Sequence, residues 1–235
     1  MVLSESPADF DPCRYRRWYE TPLGARVDAD EKEVVFALAD LKPGERVLDV
    51  GCGDGNYTGP AAELTGSAVG LDRSPAMLKA AAERLGGVAG LEWAEGDAAA
   101  LPFPDRSFDA ALIVTVLCFT REPQAVVNEA FRVLRPGGRL VLAELGRYSS
   151  WAVVRRVRGI LGSATWRDAH FFSPRELPAL LRNAGFAVGG PRGAVFYPPV
   201  HSPRLLSVAK RVEPLGRRLC PQLGALQVLR GTRPG

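Results

Sequence analysis

The stretch VLDVGCGDGNYTGPAAEL, residues 47–64, decides the fold. Its apolar opening, Val47, Leu48 and Val50 around Asp49, drops into Gly51, Gly53 and Gly55. A short apolar run of this kind reads as a buried strand. Glycines directly after such a strand let the backbone approach a bound ligand closely. The helix that follows starts around Tyr57, delayed or shortened by Gly59-Pro60.

From this unit strands and helices alternate in both directions. Upstream, residues 1–24 read as irregular or lightly helical, with aromatics at Phe10, Tyr15, Trp18 and Tyr19 and a turn at TPLG (21–24). Val27, Val34, Val35, Leu38 and Leu41 then fall at helical spacing. Downstream, SAVGLD (67–72) is a second strand. SPAMLKAAAERL (74–85) is a helix with Ser74 as cap and Pro75 at its first position. GLEWAEGD (90–97) and SFDAALIVTV (107–116) give two more strands. A helix over 122–134, a turn at RPGG (135–138) and a fifth strand at 139–145 follow. This alternation predicts an α/β fold with a parallel sheet covered on both faces. Beyond 147 the beat stops. A helical insertion, a helix at 173–186 capped by Ser173 and closed by Gly185, and a basic helix at 203–219 are expected. β-like segments fall at 187–199 and 223–231.

The 235 residues are 46% hydrophobic, enough for one α/β domain with a real core, which excludes a disordered chain. Thirty Lys+Arg against 26 Asp+Glu leave +4. The excess gathers at Arg155, Arg156 and Arg158, and at Arg204, Lys210, Arg211, Arg217 and Arg218. Solvated helix faces account for such runs, and an anionic substrate, carrier or membrane surface is the sharper reading. No recognition motif accompanies the charge, so nucleic acid is not the expected partner. Cys13, Cys52, Cys118 and Cys220 show neither zinc spacing nor a disulfide framework. The start MVLSESPADFDP lacks an apolar signal segment and no run approaches a membrane span. A cytoplasmic protein is expected, without stable membrane insertion. The abundance of Arg, Ala and Gly suits a GC-rich bacterial genome.

Two nucleotide-like cofactors suit a glycine turn after a strand: a nicotinamide dinucleotide or S-adenosylmethionine. Gly51, Gly53 and Gly55 make GxGxG, and Asn56 follows. The dinucleotide fingerprint needs GxGxxG, and its last glycine is out of register. A phosphate loop would need Gly-Lys-Ser/Thr, which is absent. Asp72, at the end of the second strand, is placed to accept hydrogen bonds from ribose hydroxyls, which both cofactors carry. Asp97 ends the third strand.

VLDVGCGDGNYT, GLDRSPAMLKAA, EGDAAALPFPDRSFDAAL and EAFRVLRPGGRLVLAEL, in this order over about 45–145, resemble class I S-adenosylmethionine-dependent methyltransferases of the ubiquinone/menaquinone-methyltransferase-like, type 11 group. The resemblance implies a Rossmann-like, mostly parallel seven-stranded sheet flanked by helices, in one domain. Residues 1–44 would be a helical entry or lid, 45–146 the cofactor core, 147–172 a helical insertion forming a substrate lid, and 173–235 the last helices and strands. It also implies S-adenosylmethionine as cofactor. Gly51, Cys52 and Gly53 would admit the methionine moiety, with Asp49 orienting the loop or receiving the cofactor's amino group. Asp72 would hold the ribose, Arg73 and Met77 flank the adenine, and Asp97 and Ala98 read its edge. Ile113 would meet the cofactor from the fourth strand, with Thr115 just beyond.

Tyr15, Trp18 and Tyr19 would close over cofactor or acceptor. Trp151, Trp166, Phe171, Phe172 and Tyr197 would line an apolar pocket, which favours a small apolar or aromatic methyl acceptor. The product would be S-adenosylhomocysteine. Displacement from a sulfonium relies on alignment, and a base is needed only where the nucleophile holds a proton. His170 is the candidate catalytic base, with His201, Asp168 and Glu144 behind it. A monomer or homodimer is expected. Two alternatives stay open: a non-catalytic S-adenosylmethionine-binding protein of the same fold, and a nicotinamide-dependent oxidoreductase.

Overall fold

The computed structural model describes residues 11–235, without the side chains of Arg14, Pro203, Arg204, Leu205 and Lys210. Phe10 and the acidic start therefore lie outside the described residues. Eight strands form one sheet: β1 Val47–Val50, β2 Ala68–Asp72, β3 Leu91–Glu95, β4 Phe108–Val114, β5 Leu134–Leu145, β6 Ala187–Val188, β7 Arg192–Ala194 and β8 Leu226–Thr232. The order across the sheet is β3-β2-β1-β4-β5-β8-β6, with β7 also paired to β8. β1 to β5 are mutually parallel, and β8 runs antiparallel to β5. The expected seven strands are seven positions, and the last is divided. β6 pairs with Gly231–Thr232 of β8, and β7 pairs with Leu226–Val228. Gly189-Gly190-Pro191 separates them, and a proline has no N–H to continue the ladder.

Nine helices are described: α1 Pro12–Tyr19, α2 Pro22–Ala39, α3 Thr58–Thr65, α4 Pro75–Leu85, α5 Pro123–Val133, α6 Ser150–Ile160, α7 Ala164–Arg167, α8 Glu176–Asn183 and α9 Pro203–Leu219. Ser74 caps α4 as the sequence implies. Three local expectations are corrected. The TPLG turn is the start of α2, where the Thr21 hydroxyl accepts from Gly24 N–H at 3.0 Å and Pro22 takes the first position. Ser173 does not cap α8; its N–H instead donates to Glu176 Oε2 at 2.6 Å. RPGG lies within β5, where Gly137 at φ +79° accompanies a register shift opposite Phe108 and Ala110.

Both faces of the sheet are covered, so its central strands are buried throughout, as parallel strands require. Leu48, Val50, Leu71, Ala111, Ile113, Leu140 and Leu142 pack on one face with α5 and α8 residues such as Val127 and Leu181. Val47, Ala68, Leu112, Val141 and Ala143 pack on the other with Val27, Val34 and Val35 of α2. Arg139 ties β5 to the end of α2. Its guanidinium donates to the carbonyls of Ala39 and Asp40 and to both carboxylate oxygens of Glu45, and the residue is only 7% exposed. It thus satisfies carbonyls that a helix end leaves orphaned. Arg139→Met leaves these carbonyls and Glu45 without their partner, and we expect a loss of about 3 kcal/mol of unfolding free energy. A urea titration checks this; an unchanged midpoint would contradict it.

Candidate cofactor and acceptor site

The strand order reverses between β1 and β4, so the ligand crevice lies at the carboxyl ends of these strands. There the glycine loop folds back onto β2. Gly51 and Cys52 N–H both donate to the Leu71 carbonyl, at 2.7 and 2.9 Å. Asp72 then clamps the loop: its Oδ2 accepts from Gly53 N–H and its Oδ1 from Ser74 N–H, each at 2.9 Å. One bond per oxygen leaves acceptor capacity on both. Gly51, at φ +71°, sits under Val116, whose Cγ2 would stand 2.5 Å from any Cβ there. Gly53, at φ +55°, faces no atom of the described residues within 4 Å of an added Cβ. This bare backbone beside a half-buried carboxylate fits the amino-acid tail and ribose of S-adenosylmethionine.

The remaining expected cofactor residues take varied positions. Asp49 is buried and accepts from Thr58 Oγ1 at 2.6 Å, which fastens the loop to α3. Cys52 is buried, and its thiol is pushed up by burial. Met77 is buried on α4, whereas Arg73 is exposed. Asp97 is exposed, with Oδ1 accepting from Ala99 N–H at 2.9 Å, and Ala98 packs partly on the core. Ile113 corrects the expectation of a surface contact: it is wholly enclosed in the core beside Val50. The residues that carry β4 into the crevice are Thr115 and Val116. Thr115 adopts φ +54°, a costly conformation for a β-branched residue and one that concentrates at functional sites.

Helix α1 packs over the loop. The Tyr15 and Tyr19 hydroxyls lie 3.0 Å apart, and burial pushes both up. Asp54 is 3% exposed, and neither carboxylate oxygen has a hydrogen bond among the described residues. Arg16 of α1 and Arg84 of α4 stand 3.5 Å from its Oδ2. The buried Tyr57 hydroxyl also lacks a partner among the described residues. Orphaned groups of this kind mark places where a further polar ligand is accommodated.

The insertion is rooted at the end of β5. It departs at Gly146 and returns through a parallel bridge to Phe172, with Arg147 N–H on the Phe172 carbonyl and Phe172 N–H on that of Leu145. Within it Trp151 packs edge-on to Trp18 of α1, centroids 6.3 Å apart, so α6 and α1 meet. Arg155 lies over the Trp151 and Trp166 rings at 5.1 and 4.8 Å. Glu31 of α2, Cys118 and Tyr19 are its electrostatic neighbours. Sequence reasoning missed Glu31, Cys118 and Arg155 as site residues. The four-residue spacing of Trp151 and Arg155 was a usable signal, but the burial of Glu31 depends on tertiary packing.

His170 stands at the insertion's return. Its N–H donates to the Cys118 carbonyl at 2.8 Å, and its Nε2 lies 2.8 Å from Glu176 Oε1. Glu144 is no cleft-rim base. It is completely buried and accepts from the N–H groups of Val116, Leu117 and Cys118, fixing the turn after β4. Phe171 and Phe172 belong to the core rather than a pocket. Tyr197 is likewise enclosed, its hydroxyl donating to Asp30 at 2.9 Å. Asp168 is exposed at the end of α7. In the second basic cluster Arg217 pairs with Glu33 and Glu213, while Arg211 and Arg218 are exposed.

Residues 48–142 match the family model described as a methyltransferase domain. An uncharacterized protein of Mycobacterium tuberculosis is 34% identical over 196 residues, 83% of this chain and 65% of the relative. A demethylmenaquinone methyltransferase of Tropheryma whipplei is 40% identical over 119 residues, 50% of this chain and 48% of the relative. A crystal structure from Thermotoga maritima, described as an S-adenosylmethionine-dependent methyltransferase and possible histamine N-methyltransferase, superposes with a TM-score of 0.74. Its identity is 28%, over 94% of this chain and 95% of that one. The chain thus spans from half to just under two thirds of the length of these curated relatives. Residues 48–142 thus match a methyltransferase domain, and the fold is similar to that of the Thermotoga maritima structure over nearly its whole length.

Three buried carboxyls are held up by desolvation: Asp49 to about 7, Glu144 to about 7 and Glu31 to about 8. A carboxyl raised in the fold keeps its proton to higher pH than in the unfolded chain, so stability falls as pH rises between the two values. Glu33, Glu45, Glu129 and Glu176 are lowered and act only at more acid pH. The ligand-free protein should therefore lose stability from about pH 5 to about pH 8, with a shallower slope in Asp49→Asn. Urea midpoints across this range test it, and a rising midpoint would contradict it.

Proposed function

We propose that this protein is a methyltransferase that binds S-adenosylmethionine at the glycine loop and methylates a small apolar or aromatic acceptor. The clamp of Asp72 on Gly53, beside an unobstructed backbone face, is the observation that carries the reading. The cofactor supplies a methyl group on a sulfonium, an already activated leaving group. Gly51 to Gly53 and Asp72 would hold it, with Met77, Arg73, Asp97 and Ala98 around the adenine and Tyr15 and Tyr19 closing over it. The chain's own contribution is alignment and exclusion of water. Trp166 supplies an aromatic wall for the acceptor, while Trp151 is enclosed in the core with its Nε1 donating to the Tyr197 carbonyl at 2.8 Å.

Where the acceptor must lose a proton, His170 takes it. The Glu176 carboxylate would orient the imidazole, and the Cys118 carbonyl, accepting from the backbone N–H of His170, ties the residue to the turn that carries Val116 over Gly51. No helix among the described residues is long and apolar enough to cross a membrane. The comparison proteins named above are bacterial, and we place the activity in a bacterial cytoplasm.

Titration calorimetry with S-adenosylmethionine, S-adenosylhomocysteine and NAD tests the reading. The first two should bind at about micromolar Kd and NAD should not. Asp72→Ala should weaken S-adenosylhomocysteine about tenfold or more, since it removes a charged acceptor and loosens the loop. Unchanged affinity would overturn the ribose assignment.

A further inference from the structure

The buried Arg139 and the half-buried Arg132 are fully engaged. Arg139 meets two carbonyls and the Glu45 carboxylate. Arg132 meets Glu129, Asp105 and the carbonyls of Leu101 and Phe103. Arg155 differs. It is half-buried between two tryptophan rings, and no hydrogen bond or ion pair within 4.0 Å engages it among the described residues. A guanidinium taken out of water without hydrogen-bond partners is costly, and such groups are normally paired.

Its surroundings do not neutralise it. Glu31 of α2, Cys118 of the turn after β4 and Tyr19 of α1 face it, with Arg158 on its own helix. Burial holds the Glu31 carboxyl up at about 8, and pushes the Cys118 thiol and the Tyr19 hydroxyl up as well. At neutral pH these three are predominantly uncharged, and Arg155 is the cation they surround.

We infer that Arg155 is the receptor for a carboxylate on the methyl acceptor, so the substrates of this site are aromatic or apolar acids. This deepens the proposed function and rests on it. The chemistry follows from the arrangement. One planar guanidinium matches one carboxylate through two parallel N–H···O bonds. The Trp151 and Trp166 faces hold the guanidinium in place, and the half-buried Trp166 offers apolar surface to the body of the ligand. A phosphate dianion generally recruits a second cation or a helix N-terminus, and Arg158 is exposed.

The test compares 1-naphthoate with its neutral isostere 1-naphthamide by titration calorimetry at pH 7, with and without saturating S-adenosylhomocysteine. The wild type should bind the acid at least about tenfold tighter than the amide, as expected for a charge-assisted pair. Arg155→Gln should bring the ratio to near one and leave S-adenosylhomocysteine affinity unchanged. Arg155→Lys, which keeps the charge but loses the fork, should fall between. Equal binding of acid and amide by the wild type, no measurable binding of the acid, or an acid preference that survives Arg155→Gln would each overturn the inference. A wild type that fails to bind S-adenosylhomocysteine would fail the cofactor reading instead, and the ratio measured without it still decides on Arg155.

Discussion

The Asp72 carboxylate is the point on which the site depends. It stands at the end of β2 and accepts one N–H from the glycine loop and one from the cap of α4. Three elements therefore meet on one side chain: the loop after β1, the end of β2 and the start of α4. The parallel register of β1 and β2, Val47 with Ala68 through Val50 with Leu71, brings the loop and the carboxylate together. The two oxygens keep acceptor capacity after holding the loop, which is what the proposed ribose contact requires. The positive φ angles at Gly51 and Gly53 belong to the same arrangement, since the chain has to turn within two residues without presenting a side chain to the crevice.

The mouth of the site is built on a different principle. Trp18 of α1 meets Trp151 of α6 edge-on, and Trp166 of α7 packs against Phe119 of the turn after β4. Burial raises the Glu31 carboxyl, the Cys118 thiol and the Tyr19 phenol towards their neutral forms. Arg155, stacked on Trp151 and Trp166, has these three as its electrostatic neighbours.

Much of the frame was legible in residues 45–145. There the periodicity is local, and continuous apolar strands alternate with helices opened by proline after a cap. The order of the glycine loop, Asp72 and Asp97 could be read for the same reason, because each lies at a strand end that the pattern marks. The rest depended on contacts between distant segments. RPGG has turn chemistry but lies within β5 as an irregularity, between the Leu134–Phe108 and Arg139–Ala110 pairs with β4. Ile113 and Val116 are both apolar residues near the end of β4. Only the register decides that the first is enclosed and the second reaches Gly51. Glu144 reads as an available carboxylate until three backbone N–H groups are found on it. Glu31 sits in the charged run DADEKE (28–33), which resembles a solvated face, yet tertiary packing buries it. Arg155 was visible only as one of three neighbouring arginines, and Trp166 reaches it from eleven residues away along the chain.

The most direct measurement is a crystal structure with S-adenosylhomocysteine. The account predicts the ribose hydroxyls on Asp72, the amino-acid tail along Gly51–Gly53, and the sulfur turned towards Arg155 and Trp166. A ligand bound away from the glycine loop, or a sulfur facing away from these residues, would contradict it.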